Sequence, residues 1–232
     1  MQATAALPSP RPSVSSSLRP LGVAAALALL AQIAVTLATG AAQEPLEQVR
    51  APEAYQALLL AHPSALRLVF TIDSVFLVLY TAFFVQLARV LAPPGSPSAG
   101  LARLAVIAMC ATALLDAVEN QHILSQLAAA EHGALPSSAA IVAQATASQV
   151  KFHLSYFAVF LFGLVLPRGR TLDRLLAASC LLVQLPLGLA AFVAPPPLEG
   201  ALVLARWAFY LLGFLLLSRA APPLPTTAVQ TT

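Results

Sequence analysis

Charged residues are scarce in this chain: they make up 9% of its 232 residues, against roughly 25% in ordinary soluble domains. A soluble protein of this length could not cover its surface with so few charges. The hydrophobic residues, 59% of the chain, instead come in runs of about 20, the length that crosses the hydrocarbon core of a bilayer. The composition excludes a soluble globular protein and predicts an all-α, polytopic membrane helix bundle.

Cysteines and familiar catalytic motifs are also rare. The two cysteines, Cys110 and Cys180, fall in apolar segments and form no CxxC pair, which favours two small buried side chains over a disulfide framework. GxSxG, P-loop, HExxH and dinucleotide glycine motifs are absent from the sequence. These absences remove the common signatures of hydrolases, nucleotide-binding proteins and zinc proteases, and we predict no cofactor.

Six apolar segments predict six transmembrane helices, at about 20–38, 67–91, 101–128, 139–166, 171–193 and 201–217. Residues 1–18 and 219–232 have the composition of disordered cytoplasmic tails, and residues 43–66 form an extracytoplasmic loop. Within that loop, Pro52–Leu60 predicts a short helix that lies on the outer membrane surface or, alternatively, covers a site from that side. Pro186 is expected to kink the fifth span.

The distribution of basic residues predicts the orientation. Eight arginines fall on one side of the predicted helices: Arg11, Arg19, Arg89, Arg103, Arg168, Arg170, Arg174 and Arg219. The positive-inside rule then places both termini in the cytoplasm, and we expect a bacterial cytoplasmic (inner) membrane. The first apolar segment also resembles a cleavable signal peptide, but it is longer than the usual apolar region of about 7–15 residues, which favours a retained helix.

The third span contains polar residues where a membrane helix normally carries apolar ones. Asp116, Glu119 and Asn120 are spaced i, i+3 and i+4, so they share one helix face. The fourth span carries a second polar stripe, formed by Gln144, Ser148, Lys151 and Ser155. An ionisable residue at the bilayer centre costs roughly 2.5–3.5 kcal/mol on insertion scales. Both stripes are therefore expected to face the bundle interior.

Depth along the helices, at about 1.5 Å per residue, predicts how these groups pair. We expect an inner Asp116–Lys151 pair near mid-membrane and a separate cluster around Glu119 nearer the extracytoplasmic side. The full candidate set for ligand binding or proton handling is Asp73, Tyr80, Asp116, Glu119, Asn120, His122, Lys151 and Arg206, of which Asp73, Glu119, His122 and Arg206 form the outer cluster. No metal is predicted, because the chain has a single Glu-x-x-His motif, Glu119–His122, and Lys151 would compete with a cation.

Three functions fit this pattern. The leading hypothesis is a buried, outward-facing polar pocket that binds a small ligand or handles protons. The first alternative is a membrane-embedded enzyme acting on a lipid or isoprenoid, with Glu119 or Asp116 as general acid/base and His122 assisting. The second is a non-catalytic structural or accessory subunit whose buried pairs only fix helix register. The polar groups exceed the one or two pairs that registration needs, which favours the pocket.

The predicted partners follow from the same composition. The lipid bilayer surrounds the helices, and a small-molecule or lipid ligand would occupy the pocket. A chain of this size could form a homodimer. The net charge of +3 comes from arginines at helix ends, so no nucleic-acid partner is predicted.

Overall fold

The computed structural model describes residues 17–194 and 196–219, and within this part of the chain the regular structure is entirely helical. The α-helices are α1 (Leu18–Thr39), α2 (Pro52–Ala61), α3 (Pro63–Leu91), α4 (Ala99–Glu131), α5 (Ser138–Val165), α6 (Thr171–Leu182), α7 (Gln184–Val193) and α8 (Pro196–Leu217), with a 3₁₀ helix at Glu44–Glu47. Six segments of these helices are long and apolar enough to cross a membrane. The predicted all-α architecture, with six helical segments capable of spanning a membrane, is thereby confirmed.

The described part of the chain begins just before α1 and ends just after α8. The predicted tails fall on residues 1–16 and 220–232, which lie outside the described residues. Leu18, assigned to the first tail from the sequence, is already the first residue of α1. We call the end of the bundle that carries residues 40–62 and 132–137 the loop end, and the end that carries residues 17 and 219 the tail end.

Helix α1 is an integral wall of the bundle. It packs along α3 and against α8, and a side chain on Gly22 would collide with the backbone oxygen of Phe214 and with Ser218. Near its other end, Gln32 donates a hydrogen bond to Asp73 of α3. This packing favours a retained helix over a cleaved signal peptide, because removing α1 would expose the inner face of α3.

The predicted kink at Pro186 is confirmed as a break in the fifth span. Helix α6 ends at Leu182 and α7 begins at Gln184. Proline lacks the N–H that would bond to the carbonyl four residues earlier, and its ring clashes with that carbonyl; here that residue is Leu182. Beyond the break, Gly188 lets α7 approach α5 so closely that a Cβ would overlap the ring of Tyr156.

Helix α2 packs onto the loop end of the bundle as a cover. Tyr55 and Leu59 are fully buried, and they belong to an apolar cluster with Leu46, Leu66, Phe70, Ile123, Leu127, Ala130 and Ile141. The Tyr55 hydroxyl donates to the carbonyl oxygen of Leu46 at 3.2 Å. Of the two interpretations of this loop helix, the packing supports the cover. The contact with Leu46 also fixes the 3₁₀ helix beneath α2.

Candidate functional site

Lys151 of α5 lies at the centre of a group of three carboxyl side chains. Its Nζ is 2.9 Å from Oδ1 of Asp116, 3.1 Å from Oε1 of Glu119 and 3.1 Å from Oε1 of Glu47. The Lys151 side chain is 4% exposed and that of Glu119 is 0% exposed. The predicted Asp116–Lys151 pair therefore forms, and the same lysine also binds Glu119, which the sequence analysis had assigned to a separate outer cluster.

Glu47 reaches Lys151 from the loop, not from a membrane-spanning helix. The 3₁₀ helix begins with Glu44 and Pro45, and Leu46 anchors it under α2. This turns Glu47 into the bundle, where Gln43 also donates a hydrogen bond to Glu119 at 3.2 Å. Burial alone would raise the pKa of Glu47, but the positive charges of Lys151 and Arg206 hold it below its ordinary value.

Asp73 of α3 forms a second polar centre next to the first. Asn120 donates to its Oδ2 at 2.6 Å and Gln32 to its Oδ1 at 3.2 Å. The hydroxyl of Tyr80 is buried and has no hydrogen-bond partner among the described residues. Asp73 is thus held by two neutral amide groups, and no described side chain forms an ion pair with it. Asn120 belongs to the candidate set predicted from the sequence, whereas Gln32 does not.

The predicted outer cluster of Asp73, Glu119, His122 and Arg206 does not form as one group. The guanidinium carbon of Arg206 lies 4.3 Å from the ring centroid of Phe152, and its acidic neighbours are Glu47 and Glu44. His122 has a buried Nε2 without a hydrogen-bond partner among the described residues. The predicted cluster is wrong because acidic residues of the loop, and not those of α3 and α4, lie beside Arg206.

Glu44 is the remaining acidic residue of the loop that faces this site. It is half-buried beside Glu47 at the start of the 3₁₀ helix. Burial raises the pKa of Glu44 to about 7, and the nearby carboxylate of Glu47 adds to this rise. Glu44 therefore changes its charge near neutral pH.

A cavity of about 120 Å³ adjoins these groups, which is room for several water molecules. Its wall is formed by residues of α1, α3, α4, α5, α8 and the 3₁₀ helix. Towards the loop end its wall is polar and includes Glu44, Glu47 and Arg206, whereas towards the bundle centre it is apolar and includes Met109 and Phe214. The cavity thus has a charged end and an apolar end.

Acidic side chains outnumber cationic ones around this space. Glu44, Glu47, Asp73 and Asp116 line the cavity and Glu119 touches Lys151, while the cationic side chains are Lys151 and Arg206. Buried carboxylates near one another cannot all stay ionised, because each charge raises the energy of the next. Some of these carboxyl groups must therefore hold protons when no further cation is bound.

Comparisons of the chain with protein-family models, with curated proteins and with solved structures found no match. Among the described residues, no group of three or more His, Cys, Asp or Glu side chains is arranged to hold a metal ion. At the point where three carboxyl groups converge, the cation present is the ammonium of Lys151.

The residues that the sequence analysis missed all lie outside the two polar stripes. They are Gln32 near the end of α1, and Gln43, Glu44 and Glu47 in the loop. The available signal was the grouping of four polar residues, Gln43, Glu44, Glu47 and Gln48, around Pro45 and Leu46, shortly after a span. The same pattern is typical of a solvated loop, so nothing in it predicted that these side chains would point into the bundle.

Proposed function

We propose that this protein is an integral membrane protein that binds a small organic cation in the cavity and exchanges protons for it. The observation that carries the proposal is the excess of carboxyl groups over cationic side chains around a cavity within the bundle. A site that only fixed helix register would need matched charges and no cavity.

The exchange follows from the cost of buried charge. In the empty site, protons on the surplus carboxyl groups keep the net charge small. A cation that enters supplies the missing positive charge, so a carboxyl group can release its proton to solvent. The aromatic rings of Phe76 and Trp207 in the cavity wall would also stabilise an organic cation, since the face of an aromatic ring attracts positive charge.

We further propose that the loop end faces the outside of a bacterial cytoplasmic (inner) membrane and that both termini are cytoplasmic. The support is the concentration of arginine at the tail end, where cytoplasmic segments carry it. In a background without Cys110 and Cys180, we expect Val49→Cys to react with a membrane-impermeant maleimide in intact cells. Pro94→Cys, at the tail end, should react only after lysis. The opposite labelling pattern would show that the loop end faces the cytoplasm, against the proposed orientation.

The proton exchange is tested with choline as the probe and its uncharged isostere, 3,3-dimethylbutan-1-ol, as the control. We expect choline to bind the purified protein and to release about one proton per molecule. Calorimetry in HEPES, which is zwitterionic, and in phosphate measures this, because the two buffers differ in their enthalpy of protonation. The isostere should bind at least about tenfold more weakly, since it brings no charge.

A matched pair of variants assigns the released proton to the cavity. Asp73→Asn removes a cavity acid that already accepts hydrogen bonds from neutral amides, so it should fold and release fewer protons. Glu131→Gln changes an exposed acid at the loop end and should behave as the wild type. Binding of choline without proton release, or equal binding of the isostere, would refute the proposal.

A lipid-modifying enzyme is the second candidate, and one observation favours it. A second, apolar cavity of about 160 Å³ lies between α5, α6 and α8, and it shares Phe84, Tyr210 and Phe214 with the first. An acyl or prenyl chain would fit such a chamber while its head group met the carboxyl groups. Native mass spectrometry distinguishes the two: a co-purified lipid that choline does not displace would favour the enzyme.

A further inference from the structure

A line of polar side chains runs along the interface of α4 and α5, from Lys151 towards the loop end. It consists of Glu119, His122 and Gln126 on α4 and of Gln144 and Ser148 on α5. We propose that these residues, called the polar track below, line a water-filled path by which protons pass between the Lys151 site and the loop-end solvent. The inference rests on the proposed function in one respect, namely that protons leave and enter the site.

The ion pair of Glu119 with Lys151 fixes how the two helices align. These helices are antiparallel neighbours with the most extensive contact in the bundle, and the Glu119 Oε1–Lys151 Nζ distance is 3.1 Å. Gln126 lies seven residues after Glu119, and Gln144 lies seven residues before Lys151. Seven residues are two helical turns, or about 10 Å. The two glutamines are therefore level with each other, two turns nearer the loop end.

The atoms along the track lack protein partners. Nε2 of His122, Nε2 of Gln144 and both amide atoms of Gln126 are buried without a hydrogen-bond partner among the described residues. Gln144 is 3% exposed. A buried polar group left unpaired costs about 1–3 kcal/mol. This many unpaired groups along one interface would cost too much stability unless water molecules formed hydrogen bonds with them. Water is the usual partner of such buried groups.

The opposite side of the same interface is dry. Ile123 and Leu127 on α4 and Ile141 on α5 are fully buried in the apolar cluster under α2. Water is thus confined to the glutamine side. One turn beyond Gln144, the small residue Ala140 is only half-buried, and residues 131–135 and 137 are exposed. The track therefore ends near solvent at the connection between α4 and α5.

The transfer itself needs no other reactant. The O–H bond of a protonated carboxyl group, such as that of Glu119, breaks as a water molecule takes the proton, and each following water passes on one of its own. One proton appears in the loop-end solvent and one carboxylate remains, which balances the charge of an arriving cation. The reverse sequence reloads the site when the cation leaves.

The path is tested by the access of hydrated silver ions to single cysteines, because only a thiol in contact with water reacts. In the full-length protein with Cys110→Ala and Cys180→Ala, Gln144→Cys and Gln126→Cys should react at least about tenfold faster than Ile141→Cys and Leu127→Cys. The comparison is stringent because Ile141 lies nearer the loop end than Gln144 does. Intact mass spectrometry after alkylation of the remaining thiols measures the rates.

A further variant tests whether the track is continuous. Ser148→Cys, a nearly isosteric change deeper in the bundle, should react at a rate similar to that of Gln144→Cys, and adding Gln144→Leu should slow it. Equal rates for track and apolar cysteines in variants that melt as the parent does would overturn the path. Choline binding with proton release would then still stand, so failure of the path and failure of the proposed function are distinguishable.

Discussion

Replacing Lys151 by methionine is expected to destabilise the protein by about 3–5 kcal/mol, the cost of leaving buried charges without their partner. Three carboxyl groups lie within 3.1 Å of its ammonium, and Arg206 alone cannot compensate for them. The loss should grow with pH. Without Lys151 the pKa of Glu47 rises, since Lys151 is the main charge that lowers it, and an acid with a raised pKa costs stability once the pH is high enough to ionise it.

Thermal unfolding in lipid nanodiscs at pH 5 and pH 8 measures both effects. The matched control is Arg67→Met, which breaks an exposed pair with Glu131 and should cost at most about 1 kcal/mol. The double variant with Lys151→Met and Asp116→Asn should recover only part of the loss, because Glu47 and Glu119 still lack a cation. Full recovery would mean that Asp116 is the only acid coupled to Lys151, against the geometry of the site.

Regular helical periodicity was the part of this protein that the sequence predicted best. The spacing of Asp116, Glu119 and Asn120 placed them on one face, and the depth of Lys151 matched it with Asp116, as its 2.9 Å contact shows. Both inferences use only the rise and repeat of a straight helix. The break at Pro186 was equally accessible, since it follows from one missing N–H.

The position of the loop residue Glu47 could not be predicted from helical periodicity, and the cause is physical. Glu47 reaches Lys151 across 104 residues of sequence separation, and its direction is set by Leu46 packing under Tyr55. No repeat encodes that contact. The same holds for Arg206, whose depth was known from its helix but whose direction depends on Phe152 and the loop acids. The depth of a charged side chain along its helix limits which side chains it can contact. The packing of irregular segments then determines which of those contacts form.

The buried pairs alone do not separate a functional site from a structural one. Ion pairs such as Asp116–Lys151 can hold a bundle in register without further purpose. The two additional features here are the surplus of acid around a cavity and the row of unpaired polar atoms beside it. Neither contributes to packing, and each costs stability, so both are more readily explained by ligand and proton chemistry.

Glu44 is expected to make the stability of the protein fall as the pH rises from about 4.5 to about 7. Its pKa is raised from the ordinary 4.5 to about 7 by burial and by Glu47, so the folded protein keeps this proton at pH values where the unfolded chain has lost it. The folded state therefore bears no penalty below pH 4.5 and the full penalty above pH 7. Because Glu44 is only half-buried, the penalty is at most about 3 kcal/mol.

Glu44→Gln isolates this effect from the other titrating groups. The variant should melt as the wild type does at pH 4.5 and at a higher temperature than the wild type at pH 8. Glu53→Gln, which changes an exposed glutamate of the same loop, should keep the pH dependence of the wild type. If the stability of Glu44→Gln kept the pH dependence of the wild type, Glu44 would not be one of the groups that titrate at the site. If it does titrate there, choline should bind the wild type more tightly at pH 8 than at pH 6, and Glu44→Gln should lose that gain.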